Sequence, residues 1–451
     1  MSGDAGGLPP QHPDTGCGEA SRNRYVDLLR VAAIGAVVLG HWLATSITYN
    51  AGHLGGSNVL GRLPWTRWLS LVFQVMPVFF LVGGFANAAS WTSHRGRGED
   101  WARWLYGRAV RILVPTTMYV AVATAAVAGC RAAGVDRDVL ASAGWGVALH
   151  LWFLPVYLAL LSITPALHAA HRRWGLGVPA ALALGVAGVN TAVLRWHPPL
   201  LGGLNYLLVW GSIHQLGFAW QDGTLTRDRR RPPALAVAGI TVLAGLVWLG
   251  PFPVSMVGVP GERIKNTSPP SIALLAYAAG QVGLLLAAES AVTRRLRGPR
   301  PRRAVARANR MVMTLYLWHM APVIPVAIAL YPTGLLPSVP IGSAAWLQQR
   351  LVWVAALTIL FIPLAMALRP AGPVVPAHRG ADADPLRHGA WPLLVAGVAV
   401  AGLALSWLAA KGFAPSGRLP ITVLVAYAAG MLLLVAAGGM RARPATPPPA
   451  I

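Results

Sequence analysis

Twelve apolar runs, each close to the length a helix needs to cross a bilayer, recur between residues 27 and 438 and leave little chain for anything else. Hydrocarbon offers no water to backbone N–H and C=O groups, so such runs must close their hydrogen bonds internally, as helices. They occupy 27–48, 68–90, 109–130, 146–167, 175–194, 200–220, 234–250, 271–292, 311–330, 346–368, 390–410 and 420–438. The predicted fold is an all-α polytopic membrane protein, a bundle of about 12 transmembrane helices. Composition agrees: 55% hydrophobic and 11% charged residues are too apolar and too charge-poor for a soluble domain.

The loops carry the orientation. A cytoplasmic N-terminus places 27 of the 37 Lys and Arg residues on the inner side, including the run from Arg294 to Arg310. That asymmetry is the positive-inside signature, and both ends are expected in the cytoplasm. The formal charge of +23 is spread over these loops and forms no basic domain, so no nucleic-acid partner is expected. Residues 1–22 read as a disordered cytoplasmic tail and 441–451 as a Pro-rich cytoplasmic tail. The two cysteines, Cys17 and Cys130, make no disulfide framework.

Ionisable residues inside the spans are costly and therefore point to function. Of the acidic residues only Asp27 and Glu289 touch predicted spans, both near the inner end. Common proton- or sodium-coupled transporters use a buried carboxylate, so its absence counts against a transporter of a small metabolite or glycan precursor, the alternative reading. The membrane-embedded candidates for a general base are His41, His150, His214 and His319, because a neutral imidazole accepts a proton near neutral pH. Each is also readable as a histidine bonded between helices, the favoured reading for His150 and His214. None of the four stands at i, i+4 from another, and no metal is expected.

Arg30 and His41 are eleven residues apart, which returns to within about 20° of the starting direction and rises about 16 Å. They share one stripe of the first helix, Arg30 at the inner mouth and His41 deep inside. Arg108 and Arg111 share a face at the start of the third span. With Arg30 they suit a phosphate-bearing ligand, since guanidinium binds phosphate oxygens bidentately. Gly83 and Gly84 permit close approach of a helix or a ligand chain. Trp152 lies near the outer face of the fourth span.

These residues fall into a pattern that resembles the membrane-bound acyltransferase-3 family, over residues 22–368. Arg24-Tyr-Val-Asp27-Leu-Leu-Arg30 with the Arg30-to-His41 spacing is similar to the family's first-helix signature. Arg108-Ala-Val-Arg111 followed by Pro115 resembles its paired arginines, and Tyr316-Leu-Trp318-His319 its late-helix motif. Phe79-Phe80-Leu-Val-Gly83-Gly84-Phe85 resembles a motif that usually has Ser where Gly83 stands. Many members have Glu at the position of Tyr157.

The resemblance implies an integral membrane O-acyltransferase. It would move an acyl group, acetyl by preference, from cytoplasmic acyl-CoA to a hydroxyl of a sugar or glycosylated acceptor in a bacterial cytoplasmic (inner) membrane. His41 and His319 would be catalytic. Arg30, Arg108, Arg111, Gly83 and Gly84 would meet the acyl-CoA co-substrate, and Trp152 and Tyr157 the acceptor. The implied partners are acyl-CoA, the carbohydrate acceptor and membrane lipid. The organisation expected is a ten-helix acyltransferase domain at 23–368, a cytoplasmic loop at 369–389 and two additional helices within 390–440, with no fused soluble hydrolase domain.

Overall fold

The computed structural model describes residues 23–50, 53–369 and 389–438, so the expected tails and most of the 369–389 loop lie outside the described residues. α1 (Arg24–Ala44) leads into an antiparallel hairpin, β1 (Thr45–Asn50) and β2 (His53–Asn58). Two single turns, α2 (Val59–Arg62) and α3 (Ser70–Phe73), precede α4 (Met76–Gly96). Next come α5 (Trp101–Ala132), α6 (Arg137–Gly146), α7 (Phe153–Ser162), α8 (Thr164–Trp174) and α9 (Gly177–Trp196). The chain continues through α10 (Asn205–Gln221), α11 (Arg231–Trp248), α12 (Ile272–Arg295), α13 (Pro299–Trp318) and α14 (Val323–Leu330). α15 (Ala344–Ala367), α16 (Trp391–Lys411) and α17 (Ile421–Ala437) complete it.

All twelve predicted runs fall on helices, and the protein is an all-α, multi-pass membrane protein. Among the described residues eight helices are long and apolar enough to cross a bilayer, and two bent pairs make up to ten. α10 and α17, at 17 residues each, are shorter: about 26 Å of helix against the roughly 30 Å hydrocarbon core. α10 is short because it is central. It is buried on nearly every side from Val209 to Trp220, so protein rather than lipid surrounds it. Residues such as Leu351, Ile359 and Leu403 form the exposed apolar exterior instead.

Several boundaries differ from the sequence reading, and three of them bear on the site. The first span ends at Ala44, not 48, because Thr45-Ser46-Ile47-Thr48 is rich in β-branched residues and pairs with His53–Asn58 as a hairpin. The runs 146–167 and 311–330 are not single helices. α6 meets Leu149–Ser162 at a 43° bend, and α13 meets α14 at 63° across a break at 319–322. Pro322 explains the second break, since it has no N–H to continue the helix ladder.

α1 starts on the Asn23 cap, whose Oδ1 accepts from the N–H groups of Tyr25 (3.0 Å) and Val26 (3.3 Å). α16 and α17 pack together where Gly397 and Gly430 let the backbones meet, and α16 lies on α7 and on the turn Leu149–Trp152. Phe413 bonds through its N–H to the Gly144 carbonyl (3.2 Å), and its ring meets Tyr119. Tyr427 of α17 shares a hydrogen bond with Thr117 of α5 (3.0 Å). The two C-terminal helices therefore brace the side of the bundle where the first break occurs.

Candidate active site

Both helix breaks carry a histidine, and the fold brings the breaks together. His319 caps α13 at the second break, and His150 lies in the turn after the first. Their rings stand edge to face with centroids 5.0 Å apart. His41 of α1 meets the other side of His319 at 5.1 Å. His319 and His150 are buried, while His41 is half-buried.

The tautomer of His319 follows from its neighbours. Its Nδ1 lies 2.8 Å from the Tyr316 carbonyl and 3.2 Å from that of Leu315. Both are acceptors, so Nδ1 carries the proton and Nε2 presents a lone pair. That Nε2 is buried without a hydrogen-bond partner, as are both ring nitrogens of His150. Tyr316 donates from its hydroxyl to the His150 carbonyl (2.6 Å), and the Tyr119 ring packs against the His150 ring at 5.5 Å.

The last turn of α1, which carries His41, is pinned from outside the helix. Trp42 donates from Nε1 to the His319 carbonyl (2.7 Å), and Trp353 of α15 donates to the Trp42 carbonyl (3.1 Å). Arg350, one turn earlier in α15, donates to the Thr45 carbonyl (2.7 Å). These bonds occupy carbonyls that a helix terminus otherwise leaves without partners. The turn that carries His41 is therefore held by two side chains of α15 and by its own Trp42, which bonds to the backbone at the end of α13.

A second cluster surrounds Arg108 of α5. Its Nη1 donates to Asn87 Oδ1 (2.9 Å), its Nη2 to the Ala86 carbonyl (3.3 Å), and its guanidinium lies over the Trp104 ring. Asn87 also accepts from the Tyr157 hydroxyl (3.3 Å) and donates from Nδ2 to His214 Nε2 (3.1 Å). One fully buried amide thus ties α4 to α5, α7 and α10. Arg30 and Arg111 lie within electrostatic reach of Arg108. Arg30 is paired with Asp27 at 3.7 Å, and Asp27 accepts from Asn309 of α13 (3.0 Å), while Arg111 is exposed. At the end of α4, Glu99 pairs with Arg97 and His94. Burial alone would raise its carboxyl, but the bond from Arg97 and the neighbouring His94, Arg97 and Arg103 charges hold it below the usual range.

The two predicted groups are linked by rings. Tyr157 stacks on Phe153 at 5.4 Å, Phe153 meets Tyr316 at 5.7 Å, and Tyr316 meets His150 at 5.3 Å. A continuous path therefore runs from Arg108 through Asn87 to the three histidines. Trp152 joins it indirectly: it packs on Trp210 and Tyr206 of α10, and Trp210 stacks on Phe80, which meets Phe153. Gly84 meets the backbone of His214, and Gly83 meets the ring of Tyr157, so both glycines are in packing contact with protein.

Gly83 and Tyr157 also explain each other. A Cβ at position 83 would lie 2.7 Å from Tyr157 Cε2, so a larger residue here is incompatible with this ring position. Gly83→Ser is expected to lose about 1–3 kcal/mol of stability. Tyr157→Ala in the same chain should recover part of that loss, as seen by thermal melts of both single variants and the double. Additive losses would refute the coupling.

Asn87 and Arg350 were not among the predicted site residues. Each is a polar side chain inside an apolar run, which is the signal that marks them. Among the described residues no group of three or more His, Cys, Asp or Glu side chains is placed to hold a metal ion.

The fold and the buried polar groups define a multi-pass helical membrane protein with ionisable side chains gathered at broken helices. The sequence profile of the acyltransferase-3 family, described as an acyltransferase domain, matches residues 23–369. The chain belongs to this family, and it is an enzyme that transfers acyl groups. α16 and α17 lie beyond the matched region. No curated protein and no solved structure matches the chain.

Proposed function

We propose that the enzyme moves an acyl group, acetyl by preference, from acyl-CoA to a hydroxyl of a sugar or glycosylated acceptor, with His41 as general base. The observation that carries this reading is the row His41–His319–His150 at the meeting of two broken helices. Broken helices in a membrane protein expose polar backbone only where it lines a site or is buried in protein. The acceptor O–H gives its proton to His41 as its oxygen attacks the thioester carbonyl carbon. The C–S bond then breaks, and the proton passes from His41 to the departing CoA thiolate. His319 packs edge to face against His41 and holds its ring in place, a positioning role.

The donor phosphates are assigned to Arg108, Arg111 and Arg30 at the opposite end of α1, reached from the cytoplasm if both termini face it. The pantetheine arm would then follow the surface of α4 near Gly83 and Gly84, past Tyr157, toward the histidines. Trp152 and Tyr157 are assigned to the acceptor side. The membrane is taken to be a bacterial cytoplasmic membrane. The transporter alternative gains no support, since neither Asp27 nor Glu289 lies at mid-span.

Purified protein in nanodiscs, given acetyl-CoA and longer acyl-CoAs, should release free thiol slowly even without an acceptor. No thiol release with any acyl-CoA, together with substrate flux in proteoliposomes, would replace the reading with transport. Arg108→Ala should raise the KM for acyl-CoA by about 10–100-fold, the worth of one or two charged hydrogen bonds, with a smaller change in kcat. Equal losses in kcat and kcat/KM would remove Arg108 from donor binding.

A further inference from the structure

Eight arginines lie between Arg294, at the end of α12, and Arg310 of α13, and every one is exposed. No acidic residue occurs between Glu289 and Asp382. The number of such cations orients a membrane protein, but orientation is indifferent to the face of a helix they occupy. Within α13 most of them share a face. Arg300, Arg303, Arg307 and Arg310 follow one another at spacings of three and four residues. At 100° and 1.5 Å per residue they fall within an arc of about 80° and extend over roughly 15 Å of helix.

That arc points away from the bundle. On the opposite side of the same turns Val305 and Val312 are half-buried, and Asn309 donates to Asp27 Oδ1 of α1 (3.0 Å). The stripe is therefore turned from α1 and from Arg30, and it forms no wall of the candidate active site. Arg310 immediately precedes the apolar run 311–330, so one end of the stripe lies at the edge of the hydrocarbon, at the depth of lipid headgroups. Phosphate groups are packed along that depth, and guanidinium binds phosphate oxygens bidentately.

We propose that the face of α13 formed by Arg300, Arg303, Arg307 and Arg310 binds the phosphate groups of anionic lipids, so that the protein holds such lipids beside this helix. A row of cations on a membrane helix end is drawn to net negative headgroups. Zwitterionic lipids carry an ammonium beside the phosphate and are held less well.

The test is the lipid that the full chain retains on release from nanodiscs of phosphatidylglycerol and phosphatidylcholine in equal amounts, counted by native mass spectrometry. The protein should retain about tenfold more phosphatidylglycerol, and sodium chloride during release should narrow the preference. Arg303→Gln with Arg307→Gln should lower the preference about fivefold or more. Glutamine is a good helix former, so α13 should persist, as a melting curve would show. Arg229→Gln with Arg230→Gln is the control. These residues are exposed in the loop before α11, so the change removes the same charge without touching α13 and should leave the preference unaltered. Equal retention of the two lipids, or an α13 variant no different from the control, would overturn the proposal. So would loss of the preference in inorganic phosphate beyond that in sodium chloride of equal ionic strength, which would place a soluble anion on the stripe.

Discussion

His41→Ala, in protein that still folds and inserts, should lower acyl transfer by about 10²–10⁴-fold, the usual contribution of a positioned general base. The structural reason for expecting folded protein is that the His41 side chain carries none of the bonds that pin its turn. Those bonds run through the Trp42 indole and the carbonyls of residues 42 and 45, which alanine at position 41 leaves in place. His41 is also the half-buried member of the histidine row, whereas His319 and His150 are buried. The measurement is acyl-CoA-dependent thiol release and transfer by the variant, beside a melting curve showing it intact. Undiminished activity would sink the assignment, and His319 would be the next residue to test.

Gly84→Ala should be the most damaging of the small substitutions, and its effect should fall on the fold. A Cβ at position 84 would sit 2.0 Å from the backbone oxygen of His214. A carbonyl in a helix cannot rotate away as a side chain does, so α4 and α10 must separate. Overpacking of this kind costs about 1–3 kcal/mol or more. The cost reaches the candidate site, because the same contact sets the 3.1 Å bond between Asn87 and His214, and Asn87 holds Arg108. Gly129→Ala is the control. Position 129 is also helical but has nothing within 4 Å of the added atom, so the change should be neutral or slightly stabilising. Similar melting temperatures for the two variants would show that α4 and α10 are not locked as described.

Much of the architecture was legible because a bilayer permits few solutions. A run of about twenty apolar residues in a bilayer must be mainly helical, and each of the twelve runs is. The helix ends that were misplaced lie where local and tertiary preferences compete. Thr45 to Thr48 could extend a membrane helix or form a strand, and pairing with His53–Asn58 decides for the strand. Pro322 accounts for one break, although the sequence reading ran a single span through it; no proline stands at 147–148, and that break depends on what packs around it.

The candidate site divides in the same way. Arg30 and His41 share a stripe through the periodicity of one helix, and Arg108 and Arg111 share a face for the same reason, so the sequence alone placed these pairs. Nothing local could bring His41 to His319, which is 278 positions away, or tie Asn87 to His214 across 127. Arg350 stands out in the sequence only as a charge inside an apolar run; that it holds the end of α1 appears once α15 is seen against α1. Sequence determined which segments lie in the membrane and which polar residues are costly there, because burial in lipid is a property of each segment. Tertiary structure decided which of those residues meet, because helix packing in a membrane depends on small residues and interhelical hydrogen bonds whose partners are far apart in the chain.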